Sequence, residues 1–384
     1  MIYLDNAATT WPKPEAVYQA VDCCLRTMGA NPGRSGHAMA RAASLLLYEA
    51  REVLAKLFNV TDANQIVFTY NATDAICMTV FGLLRPGDTI VTTAMEHNAV
   101  ARAVRFVEGR GVHVKIVPCS SDGQLDMAAM RTALGQKPAA VIMSHASNVT
   151  GTIMPVAEVG RLARQAGAIF IVDAAQTAGV ELIDVVAMNI DVLAFSGHKG
   201  LFGPQGTGGL YVREAISITP LRVGGTGSLS ESDHQPEFMP DRLESGTPNT
   251  PGIAGLKAGV EFILNTGQDK IRAKELELTK LIVAGLSGIA TIKIHGLTGI
   301  TGRTAVVSFT VEGKDGGQIA HALDKYYGIA CRSGLHCAPW AHQAIGSLAT
   351  GTVRFSPGYY NTAAEISQAV AAVREIARGG VDKL

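Results

Sequence analysis

Short apolar runs bounded by turn residues recur along the first half of the chain: QIVFTY, TIVTT, HVKIVP, AAVIMSH, AIFIVD, VLAFS and GLYV. Between them lie longer stretches, such as MARAASLLLYEAREVLAKLF and VAEVGRLARQAG, whose apolar positions return every three or four residues. The first pattern predicts strands buried on both faces, the second amphipathic helices. Their alternation over about residues 15–215 implies a mainly parallel sheet covered by helices on both sides. In such sheets ligands bind beyond the carboxyl ends of the strands, so candidate chemistry is sought there.

From 216 to 251 the pattern gives way to the Gly-, Ser- and Pro-rich sequence LRVGGTGSLSESDHQPEFMPDRLESGTPNTP, which reads as loop. A second unit follows. It comprises a long helix over about 252–286, a strand at TAVVSFTVE, a helix at GGQIAHALDKYY, a short strand at GIACRSG, a strand at TVRFS and a last helix from Thr362 to Arg378. The expected division is a large domain over 16–250 and a smaller α+β domain built from 1–15 and 251–384. No fixed-period repeat or low-complexity tract interrupts this order.

Composition narrows the class. With 384 residues, 47% hydrophobic and 17% charged, the chain can bury a sizeable core in two domains. Lys+Arg and Asp+Glu balance at 33 each, so overall charge gives no reason to expect nucleic acid or an anionic membrane as partner. The opening MIYLDNAATTWPKP lacks the profile of a signal peptide, and the apolar runs are too short to cross a bilayer. A cytoplasmic location is expected. The six cysteines lack metal-ligand spacing, so free thiols and no metal site are expected. Cys23, Cys24, Cys77, Cys119 and Cys331 read as small hydrophobes. Cys337 differs, because it follows His336 and precedes Ala338-Pro339 on a loop.

Two strand ends then draw attention. AIFIVD ends in Asp173, with Gln176 three residues on, and VLAFS runs into Ser196-Gly197-His198-Lys199-Gly200. Alone, Asp173 reads equally as a turn or N-cap aspartate, and Lys199 as a solvated lysine. Together, 26 residues apart, they supply what pyridoxal phosphate (PLP) needs. A lysine binds it covalently, and a carboxylate keeps its pyridine nitrogen protonated as part of an electron sink. Ser196 and His198 can donate to a phosphate, and so can the start of the helix after QIVFTY-Asn71, where Thr73 lies near the cap. Glu96-His97-Asn98 follows another strand end; on its own His97 reads as a loop histidine without a role, while beside Lys199 and Asp173 it is a candidate to lie flat on a cofactor ring.

With these residues in view, the chain resembles the group II cysteine desulfurases and selenocysteine lyases of the class V aminotransferase superfamily. The matching segments run in order over nearly the whole chain: YLDNAATT, NPGRSGH, YNATDAI, MEHN, SHASNVTG, VDAAQ, FSGHKGLFGPQGTG, ESGTPNT, RSGLHCAP and RFSPGYYNT. The resemblance implies the α/β fold of PLP-dependent transferases of fold type I, with a mainly parallel seven-stranded sheet. It implies that Lys199 is the Schiff-base lysine, that Asp173 pairs with the pyridinium and that Gln176 contacts the ring oxygen. His97 is expected to stack on the ring and to manage a proton, and Asn148 to sit near the cofactor and the substrate carboxylate. Thr73, Ser196 and His198, with the backbone at Ala72, are expected at the phosphate. Thr247 is expected to reach the phosphate of the neighbouring subunit in a homodimer. Arg354 is expected to grip the substrate carboxylate, with Arg34 as a second candidate, and Cys337 to accept sulfur.

The implied reaction converts L-cysteine to L-alanine, leaves a persulfide on Cys337 and passes the sulfur to an acceptor protein. A selenocysteine lyase acting on L-selenocysteine is the nearest rival. Another class V aminotransferase-type enzyme and a non-catalytic docking protein of the same fold are more distant ones. Three positions depart from the family pattern: Ala72 replaces a frequent hydroxyl residue, and Leu335 and Gly33 each replace a frequent histidine.

Overall fold

The computed structural model describes residues 1–33 and 35–379. The apolar runs assemble into one seven-stranded sheet in the order Ile66–Thr69, Gly208–Val212, Val192–Ser196, Ile169–Asp173, Ala140–Ser144, Thr89–Thr93 and His113–Val117. All neighbours are parallel except Gly208–Val212, which runs antiparallel to both strands beside it. Central strands such as Val192–Ser196 are buried along their whole length, which is why they read as unbroken apolar runs. Gly209 leaves the space that the Phe195 ring fills, since a Cβ there would meet that ring. The connecting helices stop where the sequence lets the backbone turn: Val156–Ala166 ends at Gly167, which takes the left-handed conformation with φ 74°.

The smaller sheet is antiparallel, ordered Arg332–Gly334, Thr352–Phe355, Val307–Val311 and Ile292–His295. Helices Gln268–Ser287, Gly316–Tyr327 and Ala363–Ala377 share its core, where Leu278, Ile319, Phe355 and Val373 are buried together. Ile2 and Leu4 from the amino terminus belong to the same core. Thr250–Thr266 contributes Ile253, Leu256, Val260 and Ile263 to the core of the large sheet instead.

Two sequence expectations change here. The single helix over 252–286 is two helices, Thr250–Thr266 and Gln268–Ser287. Gly267 between them has φ 94°, a conformation open to glycine and foreign to a helix interior. The single short strand in GIACRSG is also two. Ile329–Ala330 pairs parallel with Ile2–Tyr3, whereas Arg332–Gly334 pairs antiparallel with Thr352–Phe355. Cys331 is the crossing point between two sheets, a change of partner that periodicity does not record.

Among the described residues, no helix is long and apolar enough to cross a membrane.

Candidate active site

The carboxyl ends of the parallel strands open into a cavity of about 250 Å³. Its lining brings together ten sequence candidates: Ala72, Thr73, His97, Asn148, Asp173, Gln176, Ser196, His198, Lys199 and Arg354. Thr247 is not among them. It is exposed and lines a separate pocket with Tyr70 and Arg222. Arg34 lies outside the described residues. Gly33 has φ 72°, so the histidine common in the family would be strained at this backbone.

Helix Ala72–Leu83 begins at the cavity wall, capped by Asn71, whose side chain accepts from Asp74 N at 3.0 Å. The cap is therefore Asn71, and Thr73 is exposed one position inside the helix. Ala72 N donates to Ser196 Oγ at 3.1 Å, which ties the helix start to the strand that delivers Lys199. The first N–H groups of a helix have no intrahelical acceptor, which makes this corner suited to an anion.

Lys199 and Asp173 face a low-dielectric interior. Burial, moderated by Asp173, pushes the Lys199 amine down to about 8. Burial also raises the Asp173 carboxyl, against the pull of the Ala175 N–H at 2.9 Å and of Lys199. A buried carboxylate with so little compensation has room for a cationic N–H partner. His97 caps helix Asn98–Glu108 by accepting from Ala99 N at 3.0 Å through Nδ1, which leaves Nε2 for other partners. Burial, followed by nearby Lys199 and Arg332, lowers its ring to about 4, so it is neutral at ordinary pH. Glu96 anchors that turn from below, taking Thr93 Oγ1 at 2.5 Å, Ser144 Oγ at 2.8 Å and Ser144 N at 3.0 Å.

The small domain closes the other side. Arg354 is fully buried. Its Nη1 donates to the Asn148 carbonyl at 3.0 Å and its Nη2 to Asp5 Oδ1 at 2.7 Å, while Nε has no partner. Asn148 also donates through Nδ2 to the His336 carbonyl at 2.7 Å, and Asn98 N donates to the Cys337 carbonyl at 2.7 Å. The Cys337 loop is thus fastened to the large domain at two consecutive carbonyls. His336 and Cys337 hold positive φ, 48° and 58°. The buried His336 ring bonds Thr352 Oγ1 at 2.8 Å, and the Cys337 thiol is left exposed.

Two residues here were not singled out from the sequence. Arg332 lines the cavity, pairs across the strands with Arg354 and donates from Nη2 to Cys337 Sγ at 3.1 Å. Its signal was the spacing Arg332-x4-Cys337 on a strand leading into the loop. Asp5 had none, because its partner lies 349 residues away.

The arrangement has close relatives. The aminotransferase class-V family model matches residues 2–369. The chain belongs to the aminotransferase class-V family. A protein of Methanothermobacter thermautotrophicus named "probable cysteine desulfurase" is 36% identical over 99% of this chain and 95% of its own length. One of the same name from Xylella fastidiosa is 34% identical over 98% of this chain and 91% of its own. Among solved structures, the apo cysteine desulfurase of Thermococcus onnurineus superposes with a TM-score of 0.93 at 33% identity, covering 98% of this chain and 95% of that one. The S-sulfonic acid form of an Escherichia coli cysteine desulfurase superposes with 0.87 at 30% identity, covering 98% and 94%. The α/β architecture is that of PLP-dependent transferases of fold type I.

Class-V aminotransferases use PLP, and the residues present fit it. The buried His198 Nδ1 and Arg354 Nε are polar atoms without a partner. Among the described residues, Lys199 is the cation acting on the Asp173 carboxyl. A single cavity joins these groups to the helix start. Among the described residues no cluster of His, Cys, Asp or Glu could hold a metal ion.

Proposed function

We propose that this chain is a PLP-dependent cysteine desulfurase that converts L-cysteine to L-alanine and takes the sulfur onto Cys337 as a persulfide. One observation carries the reading. Lys199, Asp173, His97 and Arg354 line one cavity, and Arg332 connects that cavity to an exposed, backbone-anchored Cys337 thiol. The full-length similarity to proteins named cysteine desulfurase supports it.

PLP, when bound, supplies an electron sink for the charge that develops at the substrate Cα. Lys199 would hold it covalently, Asp173 would pair with its ring nitrogen and Gln176 would meet its ring oxygen. Ala72 N–H, Thr73, Ser196 and His198 would hold its phosphate. Arg354, with Nε free, binds the substrate carboxylate, and Asn148 fixes that arginine through its carbonyl. Lys199 moves the proton at Cα, its buried amine being nearer neutrality than a solvated lysine's. His97, neutral at ordinary pH, would lie over the ring and pass a proton at the sulfur side. The Cys337 thiolate attacks the substrate sulfur; the S–S bond forms as the Cβ–S bond breaks, its electron pair stays with carbon and Cβ takes a proton on the way to alanine, while Arg332 orients the thiolate. Thr247, exposed and outside this cavity, completes the phosphate site of a second copy in a homodimer. A single subunit with full PLP occupancy and activity in sedimentation would remove that role.

The deciding experiment incubates the PLP-loaded protein with L-cysteine or L-selenocysteine and assays alanine, sulfide and selenide. Alanine from both substrates, with one added sulfur on the Cys337 peptide, is expected. Alanine from L-selenocysteine alone would make the protein a selenocysteine lyase, and neither product would end the reading.

A further inference from the structure

The Cys337 loop borders an arginine-rich face. Because the Cys337 carbonyl accepts from Asn98 N at 2.7 Å, the thiol and the start of helix Asn98–Glu108 lie side by side. Arg102 and Arg105 are exposed one and two turns further on, on the stripe that begins at Asn98. At 1.5 Å per residue they lie about 6 Å and about 10 Å along the axis from Asn98. The Arg105 guanidinium sits 5.2 Å from the centre of the Trp340 ring, three residues beyond Cys337, so the face continues onto the short helix Pro339–Ala344 that follows the Cys337 loop. Past the helix, Arg110 lies 4.1 Å over the ring of Phe106, which is 45% exposed.

Charge on this face is one-sided. Of Arg102, Arg105, Arg110 and Arg332, only Arg105 has a carboxylate partner among the described residues, Glu108 at 2.7 Å. Acidic and basic residues balance at 33 each over the chain, so the excess belongs to this face and not to the molecule as a whole. Arginines with a single carboxylate partner among them, interleaved with aromatic rings beside an exposed thiol, suit a partner that brings carboxylates and a thiol together.

We propose that the face built by Arg102, Arg105, Arg110, Phe106 and Trp340 docks an acidic, thiol-bearing protein that removes the sulfur from Cys337. The inference rests on the desulfurase reading above. The partner thiolate attacks the outer sulfur of the Cys337 persulfide. A new S–S bond forms on the partner, the S–S bond to Cys337 breaks, and Cys337 leaves as thiolate to take up the proton the partner thiol released. Sulfur changes hands without net oxidation or reduction. The arginines act on encounter and orientation, so their effect weakens with salt.

The test uses the PLP-loaded enzyme, L-cysteine and two synthetic peptides with one cysteine each, flanked by Asp and Glu or by Lys and Arg. Sulfur gained by each peptide is followed by mass spectrometry. The acidic peptide should accept sulfur at least about tenfold faster at low salt, the gap closing towards about 0.5 M salt as screening shortens. Arg102→Glu with Arg105→Glu should abolish or invert the preference, and Arg102→Gln with Arg105→Gln should reduce it. Alanine formation with dithiothreitol as acceptor should stay at the wild-type rate in both variants. Equal rates for the two peptides, or a preference that survives the charge reversal, overturns the docking face while leaving the desulfurase intact. No alanine with dithiothreitol in the wild type overturns both.

Discussion

Arg332 and Cys337 are joined by a 3.1 Å contact from guanidinium to sulfur, across a loop whose two residues before Ala338 both hold left-handed backbone. A guanidinium in contact with a sulfur limits where that sulfur can point. Arg332→Ala should therefore slow alanine formation from L-cysteine about ten- to a hundredfold, the range for a lost charge-assisted contact. Arg332→Lys should recover part of that rate, because it restores the charge but not the planar fork. Steady-state alanine assays of the three proteins check this, and equal losses in both variants would argue for a packing role alone.

Arg354 and Asp5 form the second such pair, with Nη2 2.7 Å from Oδ1. Arg354→Ala should leave the visible absorbance of the bound cofactor unchanged and weaken amino-acid binding about ten- to a hundredfold. Asp5 acts through Arg354. Asp5→Ala should raise KM with little change in kcat, and Asp5→Asn, which keeps an acceptor oxygen, should raise it less. Titration of the absorbance with L-cysteine gives the affinities, and kinetics give the split.

Much of this site could be read from one sequence, and the reason is local. Strand, turn and helix succeed each other within a few residues at Asp173, Lys199 and Ala72, so composition and position point the same way. What escaped is non-local. Asp5 meets Arg354 across almost the full chain, and Asn148 serves Arg354 and the Cys337 loop at once through its carbonyl and its amide. Thr73 does lie near the cap, and the capping side chain itself is that of Asn71. The break at Gly267 was masked because helical periodicity resumes on both sides of it, in Thr250–Thr266 and in Gln268–Ser287.

Cys337 and Cys331 are sharply distinguished by their surroundings. Burial, followed by Asp5, pushes the Cys331 thiol up to about 12, which disqualifies it as a nucleophile near neutrality. Cys331→Ala should desulfurate L-cysteine at close to the wild-type rate. Cys337→Ala should keep cofactor and amino-acid binding, lose most alanine formation from L-cysteine and retain much of it from L-selenocysteine, because selenium leaves with less need of thiol attack. Wild-type desulfuration of L-cysteine by Cys337→Ala would rule out this residue as the acceptor.

Glu275 gives a pH-dependent stability. It is buried, receives a Tyr359 backbone N–H and has Glu181 nearby; burial is the largest cause that pushes its carboxyl up to about 8. The folded state therefore holds this proton more tightly than the unfolded chain, whose carboxyl titrates near 4.5. Its contribution is fully present below that value and declines as pH rises through about 8. Glu275→Gln should leave stability near pH 4.5 almost unchanged and raise it near pH 8 by on the order of 1–3 kcal/mol, the cost of an under-partnered buried group. Chemical denaturation of both proteins at the two pH values measures the difference.

The first ten residues are synthesised first and find their partners last. Ile2 pairs with Ile329, Asp5 waits for Arg354 and Ser356, and Thr10 closes onto the Lys199 turn. A growing chain cannot assemble this pocket until almost all of it has left the ribosome, however early the large sheet forms. Such late, long-range closure is slow compared with helix formation. A chain that stopped short of Ile329 would have its main sheet complete and its amino terminus still unmatched.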